Sequence, residues 1–408
     1  MAELEQWEKY KLLGTSDTTL SSTGYGHHCR DLFKRLARKP HFDCKFIGWQ
    51  YQGLPFEYDG YTILPNGNKN FAEGTIVGYV NEHKPDILYF EADSFMLYYT
   101  QNIDFSPAKT IFNFMSDGVP LPVGADKVLK HMNYCVAPTK FAQQQVLDLY
   151  GIQSTYIPYG VDTSLFRFTD DGRRKHLKQK WSQKLGMNFE DKFVVGLMGR
   201  MQGRKMHSEA MKAFSVFAEG KKDVALMMHM DLEDPANPGY MVQDLVGRLG
   251  LTGKVFDSRM RIYKGYSDAE VAELVALQDV QLSSTSGEGV GMMTLESMAS
   301  GVPSIVTDFT TTKELLTDTG AGIAVPLYGA DYNDWRLTGT ITGTYNVERG
   351  VVDKKKMVEA LQFLYDNPSE RKKMGKNGKA AVDKEYNWDG MTGVGQKWND
   401  FILQAMQS

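Results

Sequence analysis

A glycine-rich stretch between an apolar run and a helical run contains the residues best suited to hold an anion. Three glycines within residues 287–291 follow the apolar residues 279–282, and a helical pattern covers residues 292–300. Glycine lets a backbone approach a ligand closely, and the first turn of a helix presents free N–H groups at the positive end of its dipole. This pattern predicts a phosphate-binding strand–loop–helix unit. The predicted backbone donors are Gly291, Met292 and Met293.

Two carboxylates, Glu288 and Glu296, lie on either side of the predicted helix start, with residues 289–295 between them. Eight residues of helix rise roughly 12 Å, which is about the span from the sugar of a nucleotide sugar to its ribose. The spacing therefore favours two separate contacts to one extended ligand. The alternative is a tight glycine turn with both glutamates in solvent.

A second candidate anion-binding segment, a turn rich in cations, precedes the glycine-rich stretch in the sequence. Residues 199–205, Gly-Arg-Met-Gln-Gly-Arg-Lys, follow a predicted buried strand and open a predicted helix. Cations beside helix N–H groups suit a diphosphate. We predict phosphate contacts for Arg200 and Lys205, with Arg204 available to share them; a solvated basic turn is the alternative.

The glycine-rich stretch resembles the signature of glycosyltransferase family 4. The family pattern of Gly-Glu-Gly-Phe-Gly, Glu-Ala-Met-Ala and Gly-Xaa-Pro corresponds here to GEGVG (287–291), ESMA (296–299) and GVP (301–303). The resemblance implies an α/β chain of GT-B fold, with two Rossmann-like domains facing across a cleft, and transfer with retention of anomeric configuration. It also implies that Glu288 contacts hydroxyls of the transferred hexose and that Glu296 holds the ribose.

Other positions match the family less closely. An Arg and, five residues later, a Lys contact the donor phosphates in the family, which is the spacing of Arg200 and Lys205, although Met206 replaces the usual Gly. Many members carry a His near the transferred sugar, where this chain has Asp117. An acid there could stabilise oxocarbenium charge or orient a hydroxyl, and it could equally cap a turn before Gly118.

Three further positions have two interpretations each. Gly24 and Gly26 lie in a predicted loop between a strand and a helix. The resemblance implies that this loop approaches donor and acceptor, and the alternative is a plain connection. Glu314 corresponds to a family position near the base of the donor site, or is an acid favoured at the start of a helix. His27, His28 and His131 are predicted to be surface or loop residues.

The composition excludes several other classes. The chain has 408 residues and a formal net charge of −4, so no global field recruits nucleic acid or an anionic membrane. Its three cysteines, far apart and without metal-ligand spacing, indicate reduced thiols in a cytoplasmic protein. The sequence shows no signal peptide and no apolar run long enough to span a membrane.

Alternating strand and helix patterns predict two domains built from parallel βαβ units. The predicted ranges are 1–166 for an N-terminal domain on the acceptor side, 167–190 for a linker, 191–385 for a nucleotide-sugar-binding domain, and 386–408 for a helix that crosses back to the first domain. The aromatic residues 49–61 favour a β-ribbon over an acceptor-binding surface. Residues 329–350 have no clear assignment.

The sequence therefore predicts a retaining hexosyltransferase that uses a UDP- or GDP-linked sugar as co-substrate, with neither a metal ion nor another cofactor. The acceptor is a hydroxyl of a glycan, lipid or small molecule. Two alternatives stay open. The first is a glycosyltransferase acting on modified bases in DNA, in which nucleic acid is the acceptor. The second is a catalytically idle protein that binds sugar nucleotides.

Overall fold

The computed structural model describes residues 9–67, 70–234, 239–258, 265–330 and 338–407. The chain forms two compact units. The first contains residues up to 116, residues 120–160 and residues from 388 onward, and the second contains residues 117–119 and 161–387. Apart from the short excursion at residues 117–119, the chain passes between the units after Gly160 and again after Asn387, and the sequence patterns placed these boundaries at residues 166 and 385.

A mostly parallel sheet forms the centre of the first unit. Its strands are β1 (Tyr10–Ser16), β2 (Phe42–Gly48), β3 (Phe56–Tyr58), β4 (Tyr61–Pro65), β5 (Ile87–Ala92), β6 (Lys109–Phe114), β7 (Tyr134–Ala137) and β8 (Thr155–Tyr156). Their order is β3-β4-β2-β1-β5-β6-β7-β8, and only the β3–β4 pair is antiparallel. Without β3, this is the order of a doubly wound Rossmann sheet.

The described residues of this unit form the α-helices α1 (Gly24–Leu36), α2 (Ile76–His83), α3 (Ala125–His131), α4 (Lys140–Tyr150) and α12 (Val394–Gln407), and a 3₁₀ helix covers Ser94–Asn102. Helix α1 starts earlier than predicted because the Thr23 side chain caps it by accepting a hydrogen bond from the Gly26 N–H. Gly24 and Gly26 therefore lie in the first turn of a helix and not in a loop. Helix α12 packs Trp398 and Ile402 into the same core as α1.

The aromatic segment before β4 is partly the predicted ribbon. Strand β3 pairs with β4 through Phe56 and Ile63. Rings follow one another along this edge, with Tyr51 against Phe56 and Tyr58 against Tyr61. Tyr61 is buried, so packing accounts for much of the aromatic content of the segment.

A buried carboxylate organises the centre of the first unit. Glu91, at the end of β5, is fully buried. Its oxygens lie 2.6 Å from His28 Nδ1, accept a 2.5 Å hydrogen bond from the Tyr89 hydroxyl, and accept another from the Tyr159 hydroxyl. Burial opposes ionisation, but interaction with His28 and the hydrogen bonds from His28, Tyr159 and Tyr89 together lower the pKa of Glu91.

The prediction that His28 lies at the surface or in a loop was wrong. His28 is 1% exposed, in the second turn of α1. Its ring stacks on Tyr159 with centroids 3.7 Å apart and lies 5.2 Å from Trp388. Tyr159 and Trp388 each lie next to a point where the chain changes unit. His28 therefore joins both connecting segments to the core of the first unit.

A second parallel sheet forms the centre of the second unit. Its strands are β9 (Phe193–Met198), β10 (Val224–His229), β11 (Val255–Asp257), β12 (Val280–Ser283), β13 (Ser304–Thr307) and β14 (Gly322–Val325). The order β11-β10-β9-β12-β13-β14 is again that of a Rossmann sheet. Every residue of β9 and β10 is buried, as expected where helices cover both faces.

The helices around this sheet, within the described ranges, are α5 (Asp171–Leu185), α6 (His207–Phe217), α7 (Val242–Arg248), α8 (Asp268–Ala276), α9 (Met292–Ala299), α10 (Lys354–Asp366) and α11 (Pro368–Ala381). A 3₁₀ turn covers Gly203–Lys205, and π-helical turns cover Lys313–Thr317 and Val382–Tyr386. Among the described residues of both units, no helix is long and apolar enough to cross a membrane.

Two segments of the second unit differ from the sequence-based interpretation. Most of the predicted linker is helix α5, which packs on this unit because Trp181 is buried and its indole N–H donates to Glu273 of α8 at 3.0 Å. Residues 329–350, which had no assignment, contain a hairpin of β15 (Thr340–Thr342) and β16 (Glu348–Gly350). Residues 331–337 lie outside the described part of the chain.

The Glu91 cluster generates a stability prediction. In Glu91→Gln one acceptor becomes an NH₂ group facing hydrogen-bond donors, and each buried donor left unpaired costs about 1–3 kcal/mol. We expect a lower urea midpoint for this variant, measured by circular dichroism. The folded protein lowers the pKa of Glu91 from its ordinary value of 4.5, so the stability that the ionised carboxylate contributes is lost as pH falls below 4.5. The difference in urea midpoint between wild type and Glu91→Gln should therefore shrink in that range.

Glu82→Gln is the control, since the Glu82 side chain is 67% exposed in the same unit. Its stability should stay within about 0.5 kcal/mol of wild type. Equal midpoints for wild type and Glu91→Gln would show that the cluster does not stabilise the first unit.

Candidate functional site: a cationic turn beside a glycine loop

The cationic turn after β9 and the glycine loop after β12 meet at the carboxyl edge of the second sheet. Strands β9 and β12 are neighbours at the point where the strand order reverses, which is where open α/β sheets bind ligands. Ser286 donates its N–H to the Arg204 carbonyl at 2.7 Å, and the Ser284 hydroxyl lies 2.7 Å from the Met206 carbonyl. The two segments therefore form one continuous site.

Helix α9 begins at this site with an open end. Its N-cap is Gly291, at φ +86°, and no side chain caps the helix. Thr294 and Leu295 donate their N–H groups to the Gly291 carbonyl, which leaves the N–H groups of Met292 and Met293 at the end of the helix. As predicted, the loop places backbone donors of a helix first turn beside the cations of the other segment.

Three charged side chains converge beside this helix end. Glu288 accepts from Lys205 Nζ at 2.5 Å and from Arg204 Nη1 at 3.1 Å, and Arg204 also donates to the Gly287 carbonyl at 3.0 Å. The Lys205 and Glu288 side chains are only 15% and 14% exposed. Two cations of the basic turn therefore share one carboxylate where solvent exposure is low.

The electrostatics of this group follow from its burial and its charges. Burial raises the pKa of Glu288, but Lys205 and then Arg204 outweigh burial and bring it down to about 2. Burial lowers the pKa of Lys205, and Arg204 lowers it further, while Glu288 opposes both. Glu288 is consequently an anion at neutral pH.

Asp117 extends the cluster, and its partner Arg349 was not predicted from the sequence. Arg349, on β16, lies 2.8 Å from Asp117 Oδ2, and it also donates to the Asp117 carbonyl. Arg204 Nε lies 3.8 Å from the same carboxylate. Asp117 is thus held by two arginines of the second unit, a stronger constraint than a turn cap.

The backbone at Asp117 passes close to the glycine loop. A Cβ at position 287 would overlap the Asp117 carbonyl oxygen. Residue 287 must therefore be glycine for these two segments to approach as they do.

Arg200, the other predicted phosphate ligand, forms a bidentate pair with Asp234. The two N–O distances are both 2.9 Å, and the Asp234 carboxylate is 1% exposed. The carbonyl of Arg200 lies 3.0 Å from Nε2 of the buried His207. Because a carbonyl only accepts, Nε2 carries the proton, and this fixes the tautomer of the neutral ring.

The remaining predicted residues lie on three different elements. Glu296 is 7% exposed in the middle of α9. Glu314 is half-buried in the π-helical turn at Lys313–Thr317, not in an α-helix. Gly24 and Gly26 belong to the first unit.

In the part of the chain that the structure describes, one group of three side chains has metal-ligand atoms close together. It consists of His28, Cys29 and Glu91, with ligand atoms within 4.8 Å of one another. The Glu91 oxygens already accept hydrogen bonds from Tyr89, Tyr159 and Asn113. These contacts suit a hydrogen-bonded carboxylate rather than a metal ligand.

Residues 178–334 match the family model described as glycosyl transferases group 1. This range contains the cationic turn, the glycine loop and α9. It covers less than half of the chain, and the match ends before the hairpin that carries Arg349.

Curated relatives match over a similar part. Mannosylfructose-phosphate synthase of Agrobacterium fabrum is 27% identical over 189 residues, which are 44% of this chain and 38% of that protein. A mannosyltransferase of Mycolicibacterium hassiacum is 26% identical over 41% of this chain and 33% of its own length. The chain thus spans about two fifths or less of these relatives.

Solved structures match over nearly the whole chain. Sucrose-phosphate synthase of Thermosynechococcus elongatus has a TM-score of 0.73 at 13% identity, over 97% of this chain and 99% of that one. HepE of Anabaena, solved with UDP-glucose, has a TM-score of 0.71 at 13% identity, over 97% and 99%. The fold is therefore GT-B with two Rossmann-like domains, and the findings support placing the chain in the GT-B glycosyltransferase superfamily.

His207 generates a prediction on pH. Burial lowers its pKa to about 4 from an ordinary 6.5, although the Arg200 carbonyl opposes this. Between those values the unfolded chain binds a proton that the folded protein does not, so stability falls as pH drops, by up to about 1.4 kcal/mol per pH unit. We expect His207→Gln, which keeps a donor for Arg200, to reduce the dependence of the urea midpoint on pH in this window.

His131→Gln is the matched control, because His131 is exposed in the first unit. It should show the same pH dependence as the wild type. A wild-type slope in His207→Gln would mean that His207 is not held neutral.

Proposed function

We propose that this protein is a retaining glycosyltransferase of family 4, which moves a hexose from a nucleotide diphosphate sugar to an acceptor hydroxyl without a metal ion. The observation that carries the proposal is the convergence of Lys205 and Arg204 beside the open end of α9. Two cations and helix N–H groups are the donors that a diphosphate needs. The group 1 domain within residues 178–334 supports the same activity.

In this proposal the donor diphosphate exchanges places with a carboxylate. Glu288 is the counter-ion of Lys205 and Arg204 in the structure described above. A diphosphate carries more charge than a carboxylate, and it also accepts from the N–H groups of Gly291, Met292 and Met293. Binding then frees Glu288 to accept hydrogen bonds from hydroxyls of the hexose. Arg200 completes the phosphate contacts from its place beside Asp234.

The chemistry uses the same cations. As the bond between the hexose and the diphosphate breaks, charge develops on the leaving phosphate oxygen, and Lys205 and Arg204 stabilise it in place of a metal ion. The acceptor hydroxyl attacks from the face that the diphosphate leaves, which retains configuration. Its proton passes to the departing phosphate oxygen. Asp117, held by Arg349, supplies negative charge near the oxocarbenium centre.

Contacts to the rest of the donor follow the spacing along α9. Glu296 accepts from the two ribose hydroxyls, and Glu314 lies on the side of the base. UDP- and GDP-linked sugars both fit this assignment. HepE of Anabaena was solved with UDP and with UDP-glucose, which favours a uridine donor for the first experiments.

Transfer from a panel of UDP- and GDP-sugars to simple hydroxyl acceptors, with donor hydrolysis followed in parallel, tests the proposal. We expect turnover that survives excess EDTA. Lys205→Ala and Arg204→Ala should each weaken donor binding about 10- to 100-fold, since hydrogen bonds to charged groups are worth about 1.5–3 kcal/mol. Activity abolished by EDTA and restored by Mg²⁺ or Mn²⁺ would contradict the metal-free mechanism.

Lys212→Ala is the control for lost positive charge. Lys212 lies on α6, 46% exposed and paired with Glu209 at 2.6 Å. It should bind the donor like the wild type. Donor binding in calorimetry without transfer or hydrolysis would instead identify an idle sugar-nucleotide-binding protein.

The two glutamates should affect different kinetic constants. Contacts to a hexose that gains charge strengthen in the transition state, so Glu288→Gln should lower kcat with a modest change in donor KM. Contacts to an unchanging ribose act equally in both states, so Glu296→Gln should raise donor KM with kcat less affected. Steady-state kinetics of both variants decides between this division and equal losses in both constants, which would refute it.

A further inference from the structure

A second cationic pocket lies at the opposite edge of the second sheet. It encloses about 180 Å³. Its walls come from the segment before α5, the first turns of α5 and α11, and the residues that precede β12 and β13. The lining side chains that matter here are Arg174 of α5, Arg371 and Lys376 of α11, and Asp279 before β12.

Most of the acidic groups in this pocket already have partners. Asp279 pairs with the nearly buried Lys178 at 2.7 Å and accepts the Val194 N–H at 2.7 Å. Asp171 pairs with Lys372 at 2.6 Å. Asp170 caps α5 by accepting the Arg173 N–H at 2.8 Å. These three carboxylates are therefore committed to other groups.

Three cations of the pocket have no carboxylate partner among the residues that the structure describes. Arg371 donates to the Leu364 carbonyl and lies over the Phe193 ring. Lys376 is exposed at the rim. Arg174 makes one long bond, 3.4 Å, to the Thr169 carbonyl.

Arg174 also has a buried N–H group, at Nη1, without a hydrogen-bond acceptor among the described residues. Burial lowers the pKa of this guanidinium, with Asp279 opposing, so the folded chain bears an unfavourable charge here. Buried polar groups in folded proteins nearly always have partners, and an anion in the pocket would supply one.

The pocket is separate from the donor site. Asp279 and Pro303 precede β12 and β13, whereas the glycine loop follows β12. Helix α9 starts at Gly291 in the donor site and is followed by Gly301 in the pocket wall. Its eight residues span roughly 12 Å. A ligand in this pocket therefore does not compete for Lys205 or Glu288.

We propose that this pocket binds the phosphate group of a small metabolite. A phosphate can accept from Arg174 Nη1, from Arg371 and from Lys376 together, and guanidinium groups match its oxygens geometrically. A group of this size suits the enclosed volume, and a bulkier substituent can extend into solvent past Lys376. The proposal depends on these residues alone and not on the glycosyltransferase activity.

Titration calorimetry with inorganic phosphate against sodium chloride of equal ionic strength tests this site in the full chain. We expect a binding component that is weakened about tenfold in Arg174→Gln, which corresponds to about 1.4 kcal/mol, and measurably weakened in Lys376→Ala. Lys376 is exposed, so its replacement leaves folding intact even if Arg174→Gln does not. Phosphate should also raise the melting temperature of the wild type by linkage.

Two control variants separate this pocket from other sources of phosphate binding. Lys373→Ala removes an exposed lysine of the same helix, paired with Glu370, and should bind phosphate normally. Lys205→Ala should also keep the component. A component lost in Lys205→Ala but kept in Lys376→Ala would assign it to the donor site and overturn the proposal, as would no phosphate binding at all.

Discussion

The pairing of Glu288 with Lys205 and Arg204 fixes the geometry of the glycine loop in the second unit. Arg204 reaches the Gly287 carbonyl as well as the Glu288 carboxylate, and its own carbonyl accepts from Ser286. These bonds hold the loop after β12 against the turn after β9. The same bonds hold the two cations in position, and such preorganisation reduces the rearrangement that binding of a charged group requires.

Other buried carboxylates are likewise surrounded by hydrogen-bond donors. Glu91 in the first unit and Asp279 in the second each accept from several donors. A buried charge without partners costs several kcal/mol, and a paired one that loses its partner costs about as much. A buried charge in either sheet is therefore tolerated only where hydrogen-bond partners surround it. Arg174 differs in having a buried N–H group that finds no partner among the residues the structure describes.

Periodicity predicted the alternation of strands and helices in both units, and the resemblance of the glycine signature implied the GT-B fold that the structure has. They predicted that the glycine loop after β12 leads into the first turn of α9, because the signature encodes a local strand–loop–helix geometry, but they did not predict that Lys205 pairs with Glu288. They did not predict Arg349, which lies on a hairpin of only three-residue strands after the matched family segment. Nor did they predict the Arg200–Asp234 pair, since these residues lie 34 positions apart and meet only through the order of β9 and β10.

His28 shows a different limit. His27 and His28 both lie in α1, but only His28 precedes the buried Leu32 and Leu36 at helical spacing. That spacing is informative only if the helix includes residue 28, which it does because Thr23 caps it before Gly24. The partner of His28 is Glu91, a residue 63 positions away, so the sequence does not show the contact that His28 makes.

In the proposed mechanism, the pairing of Glu288 with Lys205 and Arg204 also affects the affinity for the donor. A diphosphate must replace two charge-assisted hydrogen bonds, each worth about 1.5–3 kcal/mol, before its own contacts add to binding. That loss is recovered if the released carboxylate bonds hexose hydroxyls, and only a ligand that carries both a diphosphate and a sugar offers both exchanges. A nucleoside diphosphate alone would leave Glu288 without its cations. In the proposed mechanism, the pair therefore favours a ligand that carries both a diphosphate and a sugar over a nucleoside diphosphate alone.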